Sequence, residues 1–294
     1  MKVLTAATSR LGNRSSNQDR CLVEKKPGHV LLAIADGMGG HARGDLAAQT
    51  AVNSLIRSFR REHLPIAEPR DFLKQALRTA HLDVVDAGRS HNPPITPRTT
   101  CVICLVQNDT AYWAHVGDSR LYLLREGTLL RRTRDHTPVE ELLQSGLVSE
   151  EELRHHPLRN SVNRCLGGSP RFPKISFDQE SLTLEDTLLL CSDGLWSAVP
   201  EPQLVTLSSC CNSLESGLSQ LADEAESASY PNSDNISGIT LRWLAADIAL
   251  DTNRQTGTAP DSAVPEPDKG KDQLEEAIDE IHRAMLEYAS EMKK

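Results

Sequence analysis

Four aspartates in this chain each sit directly against an apolar, strand-like run and beside a residue that permits a tight turn. The settings are Ala33-Ile34-Ala35-Asp36-Gly37, Ala114-His115-Val116-Gly117-Asp118, Leu190-Cys191-Ser192-Asp193-Gly194 and Asp234-Asn235-Ile236-Ser237-Gly238. A carboxylate abutting a strand is dehydrated on one side, which costs free energy unless a cation or a donor compensates it. Asp-Gly is also a common turn dipeptide, so one such site means little. Four of them constrain the fold more: if the strand ends converge, the chain presents hard oxygen ligands without thiolate or imidazole, the preference of magnesium, manganese and calcium. A glycine-rich turn, Gly37-Met38-Gly39-Gly40, follows Asp36 and runs into a helical pattern, where backbone amides and carbonyls approach an ion or a phosphate closely. Arg14, Asn17 and Asp19 lie just before another strand, and a guanidinium beside such a cluster suits a phosphate; a surface salt bridge is the plainer use of that arginine.

The strand-like runs are Lys2 to Thr8, Arg20 to Glu24, Val30 to Ala35, Thr99 to Val106, Ala111 to Val116, Arg120 to Leu124, Thr187 to Cys191 and Ile236 to Trp243. Two stretches carry helical spacing instead: Ala47, Ala51, Val52, Leu55, Ile56, Phe59, and then Phe72, Leu73, Ala76, Leu77, Ala80, Val84, Val85. Strands grouped before and after a helix pair, many at hairpin spacing, predict an α+β architecture of antiparallel sheets covered by helices. Trp113 and Trp243 fall in strands and are expected in the core. His115 in a strand, and His155 and His156 further on, are expected to be structural or solvated.

The chain has 294 residues and a net charge of −9, with 32 Lys and Arg against 41 Asp and Glu. That balance, with no basic stripe and few aromatics, argues against nucleic acid, whose binding is largely neutralisation of phosphates. The longest apolar run, Val30 to Ala35, is too short to span a bilayer, and the N-terminus lacks the apolar core of a signal peptide, so no membrane association and a cytoplasmic location are expected. Seven cysteines without framework spacing fit free thiols, and the single CxxC, Cys101 and Cys104, lies in a strand as buried thiols rather than a zinc site.

Composition changes after Leu250. Residues 251–270 are rich in proline, glycine and small polar side chains and read as a flexible linker. Over residues 271–294, Leu274, Ile278, Ile281, Met285, Tyr288 and Met292 form one stripe of an amphipathic helix, which either packs on the body, self-associates or docks on a partner.

Arg14-Ser15-Ser16-Asn17-Gln18-Asp19, Asp36-Gly37-Met38-Gly39-Gly40-His41, Gly117-Asp118-Ser119-Arg120, Ser192-Asp193-Gly194-Leu195 and Asp234-Asn235-Ile236-Ser237 occur in an order and spacing that resembles the metal-dependent protein phosphatases, the protein phosphatase 2C family, and its bacterial branch in particular. The resemblance spans about Lys2 to Trp243. It implies a sandwich of two antiparallel β-sheets flanked by α-helices (α-β-β-α) over residues 1–250, and two or three Mn2+ or Mg2+ ions at one end. By matching motif, Asp36 would bridge two ions, the Gly37 carbonyl would ligate one, and Asp193 and Asp234 would complete the pair. Asp118 would hold a third, weaker ion, Asp19 would act from behind the direct ligands or through water, and Arg14 would hold the substrate phosphate. The segment from Asp135-His136-Thr137-Pro138 to His156-Pro157, with Glu140, Leu143 and Glu151, resembles the family's flap.

The implied activity is hydrolysis of phosphoserine or phosphothreonine in proteins by a metal-activated water, opposing a bacterial serine/threonine kinase. A catalytically silent relative that binds phosphoproteins or a partner is the alternative, and the intact Asp36, Asp193 and Asp234 argue against it. Two positions depart from the pattern. Met38 stands where many eukaryotic members have a His proposed to protonate the leaving oxygen, so no general acid is assigned, although His41 is near in sequence. Gln18 replaces a carboxylate found in part of the family, which would weaken one water-mediated metal contact. Arg120 is expected to order the Asp118 turn by hydrogen bonding.

Overall fold

The computed structural model describes residues 1–38, 43–149, 151–152, 156–159, 161–210 and 213–245. The expected linker and C-terminal helix lie outside the described residues, as do His41 and His155.

Twelve strands form among the described residues. The first sheet contains β1 (Lys2–Arg10), β7 (Arg120–Arg125), β8 (Thr128–Arg132), β11 (Thr187–Cys191) and β12 (Ile236–Ala245), in the order β1-β12-β11-β7-β8. The second contains β2 (Asp19–Lys26), β3 (His29–Asp36), β5 (Cys101–Gln107), β6 (Thr110–Val116) and β10 (Ser176–Ser181), in the order β10-β6-β5-β3-β2. A small third pair joins β4 (Arg98–Thr99) to β9 (Leu166–Gly167). All neighbours run antiparallel. The expected single strand from Thr99 is interrupted at Thr100, which divides it into β4 and β5.

Period-two alternation explains the layers. Along β3, Val30, Leu32 and Ile34 face the other sheet and pack with Leu121, Leu123, Leu188, Leu190, Ile239 and Leu241. The alternate residues Leu31, Ala33 and Ala35 face outward, onto α1 (Gly44–Arg61) and α2 (Pro69–Ser90). Because both faces are covered, β3 reads as one continuous apolar run. The first sheet is covered on its outer face by α5 (Glu201–Cys210) and α6 (Leu214–Ser229), through Leu204, Leu214, Leu218, Leu221 and Ala225. Two short helices, α3 (Pro138–Gln144) and α4 (Asp193–Trp196), lie at the sheet ends. The result is the expected four-layer α-β-β-α sandwich, with Trp113 and Trp243 buried between the sheets. Cys101 and Cys104 are buried free thiols. Among the described residues no helix is long and apolar enough to cross a membrane.

Candidate metal centre

The two sheets end at one place, and the aspartates mark it. Asp19 opens β2 and Asp36 closes β3, and the two are paired directly across the ladder. Directly opposed residues in an antiparallel pair stand about 5 Å apart, where like charges are destabilising. Asp118 lies in the turn that carries the chain from the end of β6 in one sheet to the start of β7 in the other. Asp193 follows β11 and opens α4, while Asp234 precedes β12, and these strand ends are tied by the pairs Cys191–Gly238 and Cys191–Arg120. One hydrogen bond stitches the two sheets together here: the Ser192 hydroxyl, at the end of β11, donates to Asp19 Oδ2 at 2.7 Å.

The backbone around Asp36 is fixed from the neighbouring strand. Thr100 N and Thr99 Oγ1 both donate to the Asp36 carbonyl at 2.8 Å. Gly37 N donates to the Gln18 carbonyl at 3.2 Å. Only glycine fits at position 37, because a Cβ there would lie 2.2 Å from the Gly44 carbonyl oxygen. Gln18, expected only as a weakened contact, is thus part of the frame; its backbone N–H donates to Asn235 Oδ1 at 2.8 Å. The Asn235 side chain in turn donates to the Leu11 and Ser16 carbonyls at 2.8 and 3.1 Å, which fastens the segment carrying Arg14 to the start of β12.

The electrostatics are those of like charges crowded out of water. Burial, opposed by the Ser192 and Ser237 hydrogen bonds and reinforced by Asp193 and Asp234, raises Asp19 to about 7. Burial and then the charge of Asp234 raise Asp193 to about 6. Asp36 is pushed well above the usual carboxylate range by burial and by Asp19, Asp193, Asp118 and Asp234. Asp118 is raised by burial, Asp193 and Asp135. Asp19 Oδ1 is buried with no hydrogen-bond partner. Asp36 and Asp193 each bear on the other's protonation, and like-charged carboxyls so placed favour a proton or a cation among them. Arg14 pairs with Asp234 at 2.7 Å and is half exposed, at the rim. Among the described residues no three His, Cys, Asp or Glu side chains already converge in ligating geometry. The donor set nevertheless fits a hard divalent cation: it is all oxygen, dehydrated, mutually repulsive and short of positive charge.

The structure brings Asp19, Asp36, Gly37, Asp118, Asp193 and Asp234 to one end of the sandwich, with Arg14 at its rim. It corrects the expectation for Arg120. That guanidinium makes no hydrogen bond to the Asp118 turn; it forms a two-point ion pair with Asp135 at 2.6 and 2.8 Å and donates to the Tyr122 hydroxyl at 3.1 Å. It stacks on Trp196, 3.4 Å from the ring centroid, and the indole N–H of Trp196 donates to the Asp118 carbonyl at 2.9 Å. The turn is therefore ordered by Trp196, which the sequence reading missed. Asp135 and His136, at the root of the flap segment, are held on this side too: Gly117 N donates to His136 Nδ1 at 3.2 Å, and His136 stacks on buried His115 at 4.6 Å. Thr137 caps α3 by accepting from Glu140 N at 3.2 Å, and Glu140 is buried.

An α-β-β-α sandwich whose two antiparallel sheets end in such a centre defines the class of metal-dependent phosphatases. The family model described as protein phosphatase 2C matches residues 6–229. The chain is 34% identical over 232 residues to a protein named serine/threonine phosphatase stp from Listeria welshimeri, covering 78% of this chain and 91% of the relative. It is 34% identical over 200 residues to serine/threonine protein phosphatase PstP of Mycobacterium tuberculosis, covering 65% of this chain and 36% of PstP. Among solved structures, it superposes on the serine/threonine phosphatase Stp1 from Staphylococcus aureus with a TM-score of 0.77 at 26% identity, covering 83% of this chain and 96% of that one. A structure of the PstP catalytic domain in complex with two manganese ions gives a TM-score of 0.71 at 28% identity, covering 83% of this chain and 99% of that one. This chain belongs to the protein phosphatase 2C family. It is a metal-dependent serine/threonine protein phosphatase acting on phosphoproteins.

Proposed function

We propose that Asp36, Asp193, Asp234 and the Gly37 carbonyl hold two divalent cations, Mn2+ or Mg2+, with Asp36 shared between them. Asp118 holds a third, weaker ion, Asp19 acts through water, and Arg14 steadies the phosphoryl group of the substrate. The observation that carries this reading is the crowding of five carboxylates at one sheet end, four of them raised by burial and by one another. Cations bound there supply the positive charge that neutralises phosphoryl oxygens and acidifies a water for in-line attack at phosphorus. The protein's own groups do the rest. Asp19, fixed by Ser192, acts through water; Arg14, half exposed beside Asp234, presents a fork of donors to an arriving phosphate. None of the five described thiols is suited to attack phosphorus, since burial pushes Cys21 and Cys101 up to about 12 and raises Cys104, Cys165 and Cys191 as well.

We further infer that the substrates are the products of a serine/threonine kinase, in the cytoplasm, where the five free cysteines described stay reduced. The proposed organisation is a phosphatase domain over residues 1–250, a linker over 251–270 and a helix over 271–294 that self-associates or docks on a partner. Phosphate release from a phosphothreonine peptide tests the site: activity should require Mn2+ or Mg2+, vanish with chelator and vanish in Asp193→Asn. Independently of turnover, Mn2+ should raise the melting temperature of the wild type and fail to do so in Asp193→Asn. A chelated enzyme that retains full activity would overturn the assignment.

A further inference from the structure

A cavity of about 530 Å³ is lined by Arg98 and by residues between 163 and 174, including Arg164, Arg171 and Lys174, and among the described residues no acidic one lines it. In a chain of net charge −9 this is a local reversal of sign. Arg164 is already paired with Glu141 at 3.0 Å, whereas Arg98, Arg171 and Lys174 have no carboxylate partner among the described residues. The backbone is shaped around Arg98. Gly168 adopts φ +72°, a conformation that favours glycine, and the Arg98 side chain runs close against it: a Cβ there would stand 2.5 Å from Arg98 Nε. Arg98 Nε is buried and has no hydrogen-bond partner. A buried guanidinium N–H left unpaired is costly, and the accessible part of the Arg98 side chain lines the cavity as a further positive charge.

The cavity adjoins the acidic centre through the backbone. Arg98 pairs with Gly167 in the β4–β9 ladder, its carbonyl accepts from Met38 N at 3.1 Å, and two residues on, Thr100 N donates to the Asp36 carbonyl. Two strand residues span about 7 Å. An extended peptide with its phosphoryl group at the aspartates would carry the side chains two or three residues away over about 7–10 Å, the same range.

We propose that this cavity binds a second anionic group of the phosphoprotein substrate, a carboxylate or a further phosphoryl group two or three residues from the phosphoserine or phosphothreonine that is hydrolysed. The proposal rests on the placing of the scissile phosphate at the aspartate centre. Arginine forks match carboxylate and phosphate oxygens two at a time, and the site offers such forks from Arg98 and Arg171 with the point charge of Lys174 beside them. An enzyme whose catalytic end is acidic thereby gains a positive foothold that selects acidic sequence around the phosphorylated residue.

The test uses the full chain with Mn2+ and three phosphothreonine peptides: one with Glu, one with Ala and one with phosphoserine at the positions two and three residues to either side. The acidic peptides should have kcat/KM roughly 5- to 20-fold above the alanine peptide, carried mostly by KM, as two or three charge-assisted contacts would give. In Arg171→Glu/Lys174→Glu, which changes two exposed side chains, the ratio should fall to about one or below, and salt near 0.5 M should weaken it in the wild type. Equal kcat/KM values in the wild type, or a ratio untouched by the double variant, would overturn the proposal. Fluorescence anisotropy of the same peptides on Asp193→Asn separates the two readings. Tighter binding of the acidic peptides without any turnover by the wild type would leave the cavity assignment standing and remove that of the centre; turnover without preference in either assay would do the reverse. Inorganic phosphate that erases the preference at the peptide's own concentration would assign the cavity to the free anion and overturn the peptide assignment.

Discussion

The Asp19–Asp36 pair and the Arg120–Asp135 pair lie at the same end of the sandwich, and both are set among polar groups removed from water. They are composed in opposite ways. Arg120 and Asp135 are opposite in sign, bound at two points, capped by Tyr122 and covered by Trp196. Asp19 and Asp36 are opposed in position and alike in sign, and one oxygen of Asp19 has no partner. A buried ion pair that satisfies itself is structural furniture; a buried group of like charges keeps its free energy high until something from outside arrives. The difference teaches where to look for function: at the polar cluster that the protein alone leaves unfinished.

Removing a charge should therefore have opposite consequences in the two places. The largest effect is expected for Asp36→Asn or Asp193→Asn, which should lower phosphate release on the order of 10³-fold or more, while the melting temperature in chelator stays level or rises because repulsion is relieved. Activity assays paired with calorimetry check both halves, and a marked loss of stability would break the contrast. Next, Asp135→Ala strands the Arg120 charge in a buried site, which costs about 3–5 kcal/mol. In a domain of this size that should lower the melting temperature by about 10 °C, read by thermal denaturation.

The third prediction concerns pH. Asp19 and Asp193 are raised to about 7 and about 6, so the metal-free folded state holds protons that the unfolded chain releases near 3.8. Their contribution is complete below pH 4 and is lost as pH rises through 6 to 7. His136 runs the other way: burial first, then His115, lowers it to about 3, so its contribution is present above about 6.5 and lost as pH falls below that. Between pH 6.5 and 8 the buried histidines His81, His115 and His136 still gain as the unfolded chain loses its protons, so the aspartate effect is read as a difference: in chelator the melting temperature of the wild type should fall by about 2–4 °C relative to that of Asp19→Asn, which keeps the same histidines. Mn2+ should reverse that difference, and a wild type that gains on Asp19→Asn as pH rises in chelator would contradict the raised aspartates. The smallest effect is expected for Trp196→Phe, which removes the N–H bond to the Asp118 carbonyl at a cost of about 1 kcal/mol. Its activity should drop further below wild type at limiting than at saturating Mn2+, measured by metal titration.

Most of this was legible where the physics is local. Val30 to Ala35 announced a strand because both faces of β3 are covered, and the turn residues after it placed Asp36 at the strand end. Two of the four edge strands of the large sheets were not legible: β10, Ser176-Phe177-Asp178-Gln179-Glu180-Ser181, is half solvated and owes its place to pairing with β6. β8 is likewise exposed and fixed by β7. α6 did leave a signal, with Leu214, Leu218, Leu221 and Ala225 at helical spacing behind the cap Ser213, although it was not read. At the centre, the aspartates were visible one by one, but their shared environment was not. The contact of Ser192 with Asp19 joins residues 173 apart, and nothing in either neighbourhood encodes it. Arg120 and Asp135 were each in view, but their pairing depends on how the turn after β8 returns to β7.

The meeting of Gly37 and Gly44 has a consequence for how this chain tolerates change. A Cβ on either residue would strike the backbone of the other, at 2.2 and 2.7 Å, so the two glycines form a clasp that fixes the exit of β3 against the entry of α1. Inserting or deleting residues between two such fixed points changes loop entropy only slowly with length. Variation can thus accumulate inside the clasp while Asp36 and the helix behind it keep their places, and a library randomised between the glycines should yield folded proteins far more often than one randomised at the glycines themselves.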